Sequence, residues 1–269
     1  MWRAAEAGLS VVGLTDHDTA SGWDEAAAEL AAVNAAGGLA GRAEPLSLVR
    51  GAEFTTRSHG ISTHLVGLLF DPESPAIVEH FAKVRESRRG RAREIVDRLS
   101  EDFPIGWDDV LGQAGEGATI GRPHIADALV VLGVIPDRSE AFVEILHPRS
   151  KYYVAQYAPE TADVVGWIAE AGGRSVLAHP RARVRGRVIP ELAIEELAEA
   201  GLFGVEIEHR DNDESGRIEL TEIVTKLGLA RFGSSDYHGS GKPNRLGENC
   251  TSPDVYEAVI DGTFLEVLA

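Results

Sequence analysis

Carboxylates and imidazoles recur at matching places along this sequence. Residues 11–18 read Val-Val-Gly-Leu-Thr-Asp-His-Asp, a short apolar run closed by Asp16, His17 and Asp18. Glu53 closes the run 46–54, and His179 follows Val176-Leu177-Ala178. His209 follows Val205-Glu206-Ile207-Glu208, and Asp236 and His238 follow Phe232-Gly233-Ser234. His64 differs, standing near the start of its run. Each group taken singly has an ordinary structural use. Asp18 or Thr19 could cap the next helix, Glu53 could pair with Arg57, and Asp236 could cap a turn. His64 suits a satisfied core histidine, and His209 a surface histidine beside Arg210 and Asp211. Jointly they point elsewhere: of nine histidines, His17, His179, His209 and His238 stand just past apolar runs. Such groups are costly to desolvate unless paired, hydrogen-bonded or bound to metal. Imidazole and carboxylate without thiolate suit Zn, Mn or Fe more than Ca or Mg alone. Several of each suit a multinuclear site, which clamps the attacking and leaving oxygens of an in-line phosphoryl displacement.

Two basic features accompany them. Between Lys83 and Arg93 stand six Lys or Arg residues and one acid, Glu86. They form either a solvated helix face or a phosphate-attracting wall in an otherwise acidic chain. Gly121-Arg122-Pro123-His124 places proline where a first helical turn tolerates it. Arg122 and His124 then stand at a helix N-terminus, as ordinary capping or as an anion site built from N–H groups, guanidinium and imidazole.

The elements that must position these groups alternate. Strands are expected at 10–15, 46–54, 63–70, 174–178, 204–208, 230–234 and 264–268. Helices are expected at 2–7, 21–36 (closed by Gly37-Gly38), 75–99, 161–171, 190–200, 214–227 and 254–260. Between about 104 and 159 the rhythm changes to short helical pieces at 107–111, 122–132 and 139–146. That stretch reads as an inserted helical subdomain, 104–159, between barrel segments 1–103 and 160–269. Short apolar strands alternating with helices predict parallel βαβ units, in a closed barrel or a doubly wound sheet. In either, functional groups collect at the strand ends where these residues stand. No Gly-x-Gly-x-x-Gly follows a strand, and no Walker A pattern occurs.

At 269 residues with 43% hydrophobic side chains, the chain can bury a sizeable core. A net charge of −17 argues against broad, non-specific binding to duplex DNA or membranes. The lone Cys250 excludes an internal disulfide and a polythiolate zinc site, and points to a reducing, cytoplasmic setting. No apolar run approaches the ~18 residues of a membrane span, and the N-terminus lacks a signal-peptide pattern.

The motifs taken in order resemble the PHP (polymerase and histidinol phosphatase) superfamily over nearly the whole chain. They are Thr15-Asp16-His17-Asp18-Thr19 with Gly22, Gly51-Ala52-Glu53, His64-Leu65-Val66-Gly67 and Arg122-Pro123-His124-Ile125-Ala126. Ala171-Gly172-Gly173 through Leu177-Ala178-His179-Pro180, Gly204-Val205-Glu206 and Ser234-Ser235-Asp236-Tyr237-His238 complete them. The Arg-Pro-His-Ile-Ala segment is similar to stand-alone phosphoesterases that act on nucleoside 3′,5′-bisphosphates or on the 5′ ends of short RNA.

The resemblance implies a distorted seven-stranded (β/α) barrel and two to three divalent metals, Mn, Fe or Zn. Glu53 would bridge two metals, His64 and His179 would complete the shell of the second, His17 and His238 would serve the third, and Asp236 the first. His17, Asp236 and His238 would thus be catalytic as well as ligating, with Arg122, His124 and His209 at the substrate phosphate. The family's opening strand, which ends in His-x-His, has no counterpart in the sequence, which starts inside the helix that normally follows. A start codon assigned too late, or a true truncation, is the expected cause, the former favoured. The function expected is hydrolysis of a nucleotide phosphate monoester or of a short RNA 5′ end. The alternatives are a non-catalytic phosphate binder, a weakly active truncated form, or an amidohydrolase on a barrel, against which the Arg-Pro-His segment argues.

Overall fold

A computed structural model describes residues 1–36, 45–114, 120–147, 149–239 and 243–269; Gly37-Gly38 lies outside them. The chain divides into two compact units, one of residues 1–78 and 158–269, the other of residues 79–157.

The first unit is an α/β fold on a six-stranded sheet in the order β1-β2-β3-β4-β5-β6. The strands are β1 (Val11–His17), β2 (Ser47–Ser58), β3 (Ile61–Leu68), β4 (Arg174–Ala178), β5 (Gly204–Glu208) and β6 (Ala230–Gly233). Strand direction departs from the all-parallel expectation. β1 and β2 are parallel, and so are β4, β5 and β6, but β3 runs antiparallel to both of its neighbours. A hairpin causes this. Ser58 pairs with Ile61, and the two residues between, His59 and Gly60, have φ of 51° and 68°. Two left-handed residues are the type I′ pattern, whose twist matches that of the flanking strands.

No pairing joins β1 to β6 among the described residues, so the six strands form an open sheet. The expected last strand, 264–268, is reduced to a single antiparallel bridge between Leu268 and Leu48. The backbone before it is spent on loops: Phe264 N–H donates to Gly172 O and Leu265 N–H to Leu69 O. The bridge does not extend along β2, where Arg50 O already accepts from Leu69 N–H.

Helices cover the sheet. They are α1 (Trp2–Glu6), α2 (Trp23–Ala35), α7 (Thr161–Glu170), α8 (Glu191–Glu199), α9 (Glu214–Leu227) and α10 (Pro253–Ile260). α2 packs on β2, α7 on β2 to β4, α9 on β5 and β6, and α10 on β6. Beneath them lie Val49, Val66, Leu68, Val176 and Phe232, and a second cluster of Leu30, Val33, Leu46 and Leu48. Removing such surface from water contributes roughly 25 cal/mol per Å², which holds the strand ends in place. At Gly51 the strands pass closely, and a Cβ there would stand 2.4 Å from the Gly67 carbonyl oxygen of β3.

Helix α3 (Pro75–Leu99) begins in the first unit and continues into the second, which also holds α4 (Trp107–Leu111), α5 (Arg122–Val131), the three-residue α6 (Arg138–Glu140) and a π-turn over Ala141–Ile145. Ile95, Leu99, Val110, Ile125, Leu129 and Ile145 form its core. No helix among the described residues is long and apolar enough to cross a membrane.

Candidate metal centre

Strand register assembles the first half of the centre. His17, the last residue of β1, pairs with Glu53 of β2, and His64 of β3 pairs with Thr55. Glu53 and Thr55 are two apart on one strand and share a face, so Glu53, His17 and His64 point the same way. The reversed direction of β3 explains the position of His64 in its run. The beginning of an antiparallel strand lies at the rim where its parallel neighbours end.

Glu53 is buried, and three imidazoles face it. Its Oε1 lies 2.7 Å from His64 Nδ1 and 3.4 Å from His179 Nε2, and its Oε2 lies 3.6 Å from His17 Nε2. Glu53 Oε1 and His64 Nδ1 are both buried without a hydrogen-bond partner despite their proximity. Orphaned buried polar atoms are uncommon in native proteins and call for an explanation such as an ion. One ligand atom each from His17, Glu53 and His64 lies within 4.8 Å of the others, a set able to hold one ion. Burial pushes the Glu53 carboxyl up, but His179 and His64 outweigh it and hold the group well below the usual carboxylate range. Burial lowers His17 against the pull of Glu53, favouring the neutral imidazole that coordination needs. The donor set and the orphaned atoms therefore fit a divalent metal.

Asp18 anchors this half. Thr55 N–H donates to its Oδ1 and the Thr55 hydroxyl to its Oδ2, each at 2.7 Å, and Asp18 N–H donates to Glu53 O. The helix-capping role is not observed: Gly22 is the N-cap of α2, with no side-chain cap.

The exits of β4 to β6 supply the second half. His179 N–H donates to Glu206 Oε2 at 2.9 Å, and burial raises Glu206 above the ordinary carboxylate range. His209 is fully buried, and its Nδ1 accepts the Asp211 N–H at 3.0 Å. A neutral ring in that state carries its proton on Nε2, which lies 3.7 Å from Asp236 Oδ2. His209 thus faces the centre as a donor. His238 Nδ1 lies 3.2 Å from Asp236 Oδ1. The rings of His238, His17, His64, His179 and His209 follow one another at centroid spacings of 5.7, 5.0, 5.3 and 5.1 Å. Asp18, His179 and Asp236 each hold a left-handed backbone, φ 52°, 33° and 45°, at a cost on the order of 1–3 kcal/mol each.

The structure therefore brings His17, Glu53, His64, His179, His209, Asp236 and His238 together. It adds groups that sequence reasoning did not single out. Thr55 positions Asp18. Glu206 holds the His179 backbone, and its signal was present in the Gly204-Val205-Glu206 motif. Arg185 and Asp211 complete the rim: Arg185 bonds Asp211, His179 and Asp236.

Arg122 and His124 belong to the second unit. His124 Nδ1 accepts the Gly121 N–H at the start of α5, and Arg122 donates to Leu146 O and lies over the Phe142 ring. Arg91 donates to Val154 O and Gln156 Oε1. Burial lowers both guanidinium pKa values, and Arg122 lowers Arg91 further. Neither arginine has a carboxylate partner among the described residues, whereas Lys83 of the same basic stretch pairs with Glu79.

No family model matches the chain. It is 30% identical over 244 residues to the 3′,5′-nucleoside bisphosphate phosphatase of Chromobacterium violaceum, covering 90% of this chain and 82% of that protein. It is 29% identical over 260 residues to a 5′-3′ exoribonuclease of Haemophilus influenzae, covering 96% and 89%. Among solved structures, one described as a metal-dependent phosphoesterase from Bifidobacterium adolescentis superposes with a TM-score of 0.81 at 41% identity, covering 96% and 87%. With imidazoles and carboxylates gathered on one sheet rim and relatives matched along nearly its full length, the chain belongs to the PHP family of metal-dependent phosphoesterases and is a hydrolase.

Proposed function

We propose that this protein hydrolyses a phosphate monoester of a nucleotide, of the 3′,5′-bisphosphate type, or the 5′ end of a short RNA, through a multinuclear metal site. One observation carries the reading: buried Glu53 turns its two oxygens to different imidazoles, Oε1 to His64 and His179 and Oε2 to His17. A carboxylate so placed is suited to bridging two ions. His17, Glu53, His64, His179, Asp236 and His238 are the proposed ligands. Two to three Mn, Fe or Zn ions bound there would supply Lewis acidity at phosphorus and lower the pKa of water.

The chain's own residues do the rest. Arg122 and His124 bind substrate phosphate, Arg122 by a planar fork suited to two phosphoryl oxygens. Among the described residues no carboxylate partners Arg122 or Arg91, and two such guanidinium groups in an acidic protein favour an anion. His209 Nε2, which has no hydrogen-bond partner among the described residues and lies 3.7 Å from Asp236 Oδ2, offers its N–H to a phosphoryl oxygen at the centre. The small-molecule or RNA substrate follows from what the relatives act on.

The test is metal content by elemental analysis, with phosphate release from a nucleoside 3′,5′-bisphosphate and from a 5′-phosphorylated oligoribonucleotide. Bound Mn, Fe or Zn, and activity lost by at least about 100-fold in His179→Ala at unchanged circular dichroism, is the expected result. Full activity in that variant overturns the reading. Tight substrate binding without turnover or metal would favour a non-catalytic phosphate binder.

A further inference from the structure

Arg185 closes the three-residue 3₁₀ turn Arg183–Arg185. Its guanidinium is divided among three strand exits. Nε donates to Asp211 Oδ2 at 2.6 Å, Nη1 to His179 Nε2 at 2.9 Å, and Nη2 to Asp236 Oδ2 at 2.6 Å. The turn is secured at its other end. Arg181 is buried against Ile189 O and Glu219, and Arg183 reaches Asp213 and Glu219. Only Arg185 is directed into the centre.

The contact with His179 has one chemical meaning. A guanidinium has donors and no acceptor, and it stays charged. His179 Nε2 must therefore be the acceptor, its lone pair spent on Arg185. That same nitrogen faces Glu53 Oε1 at 3.4 Å. One lone pair cannot serve a guanidinium and a metal ion together. Asp236 Oδ2 is claimed in the same way, through a short charge-assisted bond. Arg185 thus holds, as a cation, two acceptors that the metal reading assigns to ions.

We infer that Arg185 is an internal cation that competes with divalent metal for His179 and Asp236, and that once displaced it becomes a phosphate-binding residue of the site. The inference rests on reading the centre as a metal site. Displacement leaves Asp211 holding the guanidinium through Nε and Nη2, each 2.6 Å from its Oδ2, so the group stays at the rim with the N–H groups that bonded His179 and Asp236 released together. A released pair of guanidinium N–H groups beside the centre matches two oxygens of a phosphoryl group. Metal loading then prepares the substrate site, because the ions that occupy the ligands free the arginine that binds the anion. The reciprocal follows by linkage: phosphate that engages Arg185 tightens metal binding.

The test uses the full chain, Mn²⁺ and inorganic phosphate as probes. Isothermal titration compares wild type, Arg185→Gln and Arg185→Lys, each shown folded by thermal melting. Arg185→Gln should bind Mn²⁺ about tenfold or more tightly than wild type, since ion binding no longer breaks charge-assisted bonds. The Mn²⁺-loaded variant should bind phosphate about tenfold or more weakly, with Arg185→Lys between the two. In wild type, amide hydrogen exchange over residues 183–187 should quicken on Mn²⁺ addition, a readout that needs no variant. Unchanged Mn²⁺ or phosphate affinity in Arg185→Gln, or unchanged exchange in wild type, overturns the inference while leaving the metal centre standing. Failure of every chain to take up Mn²⁺ removes the metal centre and the inference together.

Discussion

His209 shows how one hydrogen bond decides what a side chain can do. The Asp211 N–H commits its Nδ1 as acceptor, so Nε2 is a donor and the ring faces Asp236 as a positioning group. His209→Leu should weaken metal binding through Asp236 by about 10–100-fold, the usual effect of losing a group that orients a ligand. His209→Gln can place an amide N–H near the Nε2 position and should recover much of the loss; Mn²⁺ titration of both variants is the check. A purely steric role would make Leu the better replacement. Types and order of residues made the His/Glu/Asp set legible in the sequence, but the partner of each was not. Arg181, Arg183, Arg185 and Arg187 alternate in one short stretch, and nothing local separates them. Tertiary contacts send Arg181 into the core, Arg183 to surface carboxylates, Arg185 into the centre and Arg187 to Gly60 O.

The pairing of β2 with β3 fixes the distance between Glu53 and His64, and Gly51 sets how closely those strands pass. Gly51→Ala would place a methyl 2.4 Å from Gly67 O, against backbone that cannot rotate away. Urea unfolding should show a loss of roughly 1–3 kcal/mol, and metal affinity should fall with it, since the displaced segment carries Glu53 two residues on. Unchanged stability would mean the strands can separate without cost. At this scale much was readable: β4, β5, α3, α4 and α9 run over the residues that periodicity and stop signals mark out. Strand direction was not, because an apolar run carries no sign of which way its neighbour points. The antiparallel course of β3 therefore emerged only from pairing. The segment 264–268 shows the opposite failure: it is apolar enough for a strand, but beyond its bridge to Leu48 the edge of β2 is already bonded to Leu69.

Across the whole molecule, the segment after β6 is tied to the exit of β5 by Glu248, which takes a two-pronged bond from Arg210 and lies near Arg245. Arg210 pulls the Glu248 carboxyl down to about 2. A carboxyl depressed in the folded state stabilises it above the unfolded pKa near 4.5, and that contribution is lost as pH falls toward 2. Glu248→Gln should cost on the order of 1 kcal/mol at pH 7, the scale of a partly screened ion pair. The gap to wild type should shrink below about pH 4.5 and close near pH 2, as read from urea melts across that range. A gap independent of pH would assign the effect to packing. Composition had indicated an acidic chain with a sizeable core, and motif order had indicated the family; whether the sheet closes depends on long-range pairing that composition does not encode.

The hairpin also sets a time order. Glu53 and His64 stand on adjacent strands joined by a two-residue tip, so their meeting needs only a local closure, of the kind that takes about 1–10 μs. His17 joins them from the strand just before. His179, Asp236 and His238 wait for β4 to dock on β3, a pairing that joins His64 to Ala178 across far more chain and is slower to form. During synthesis the trio His17, Glu53 and His64 leaves the ribosome first, so an ion captured there would act as a nucleus around which the later strands assemble. The centre would then be a participant in folding before it is a catalyst.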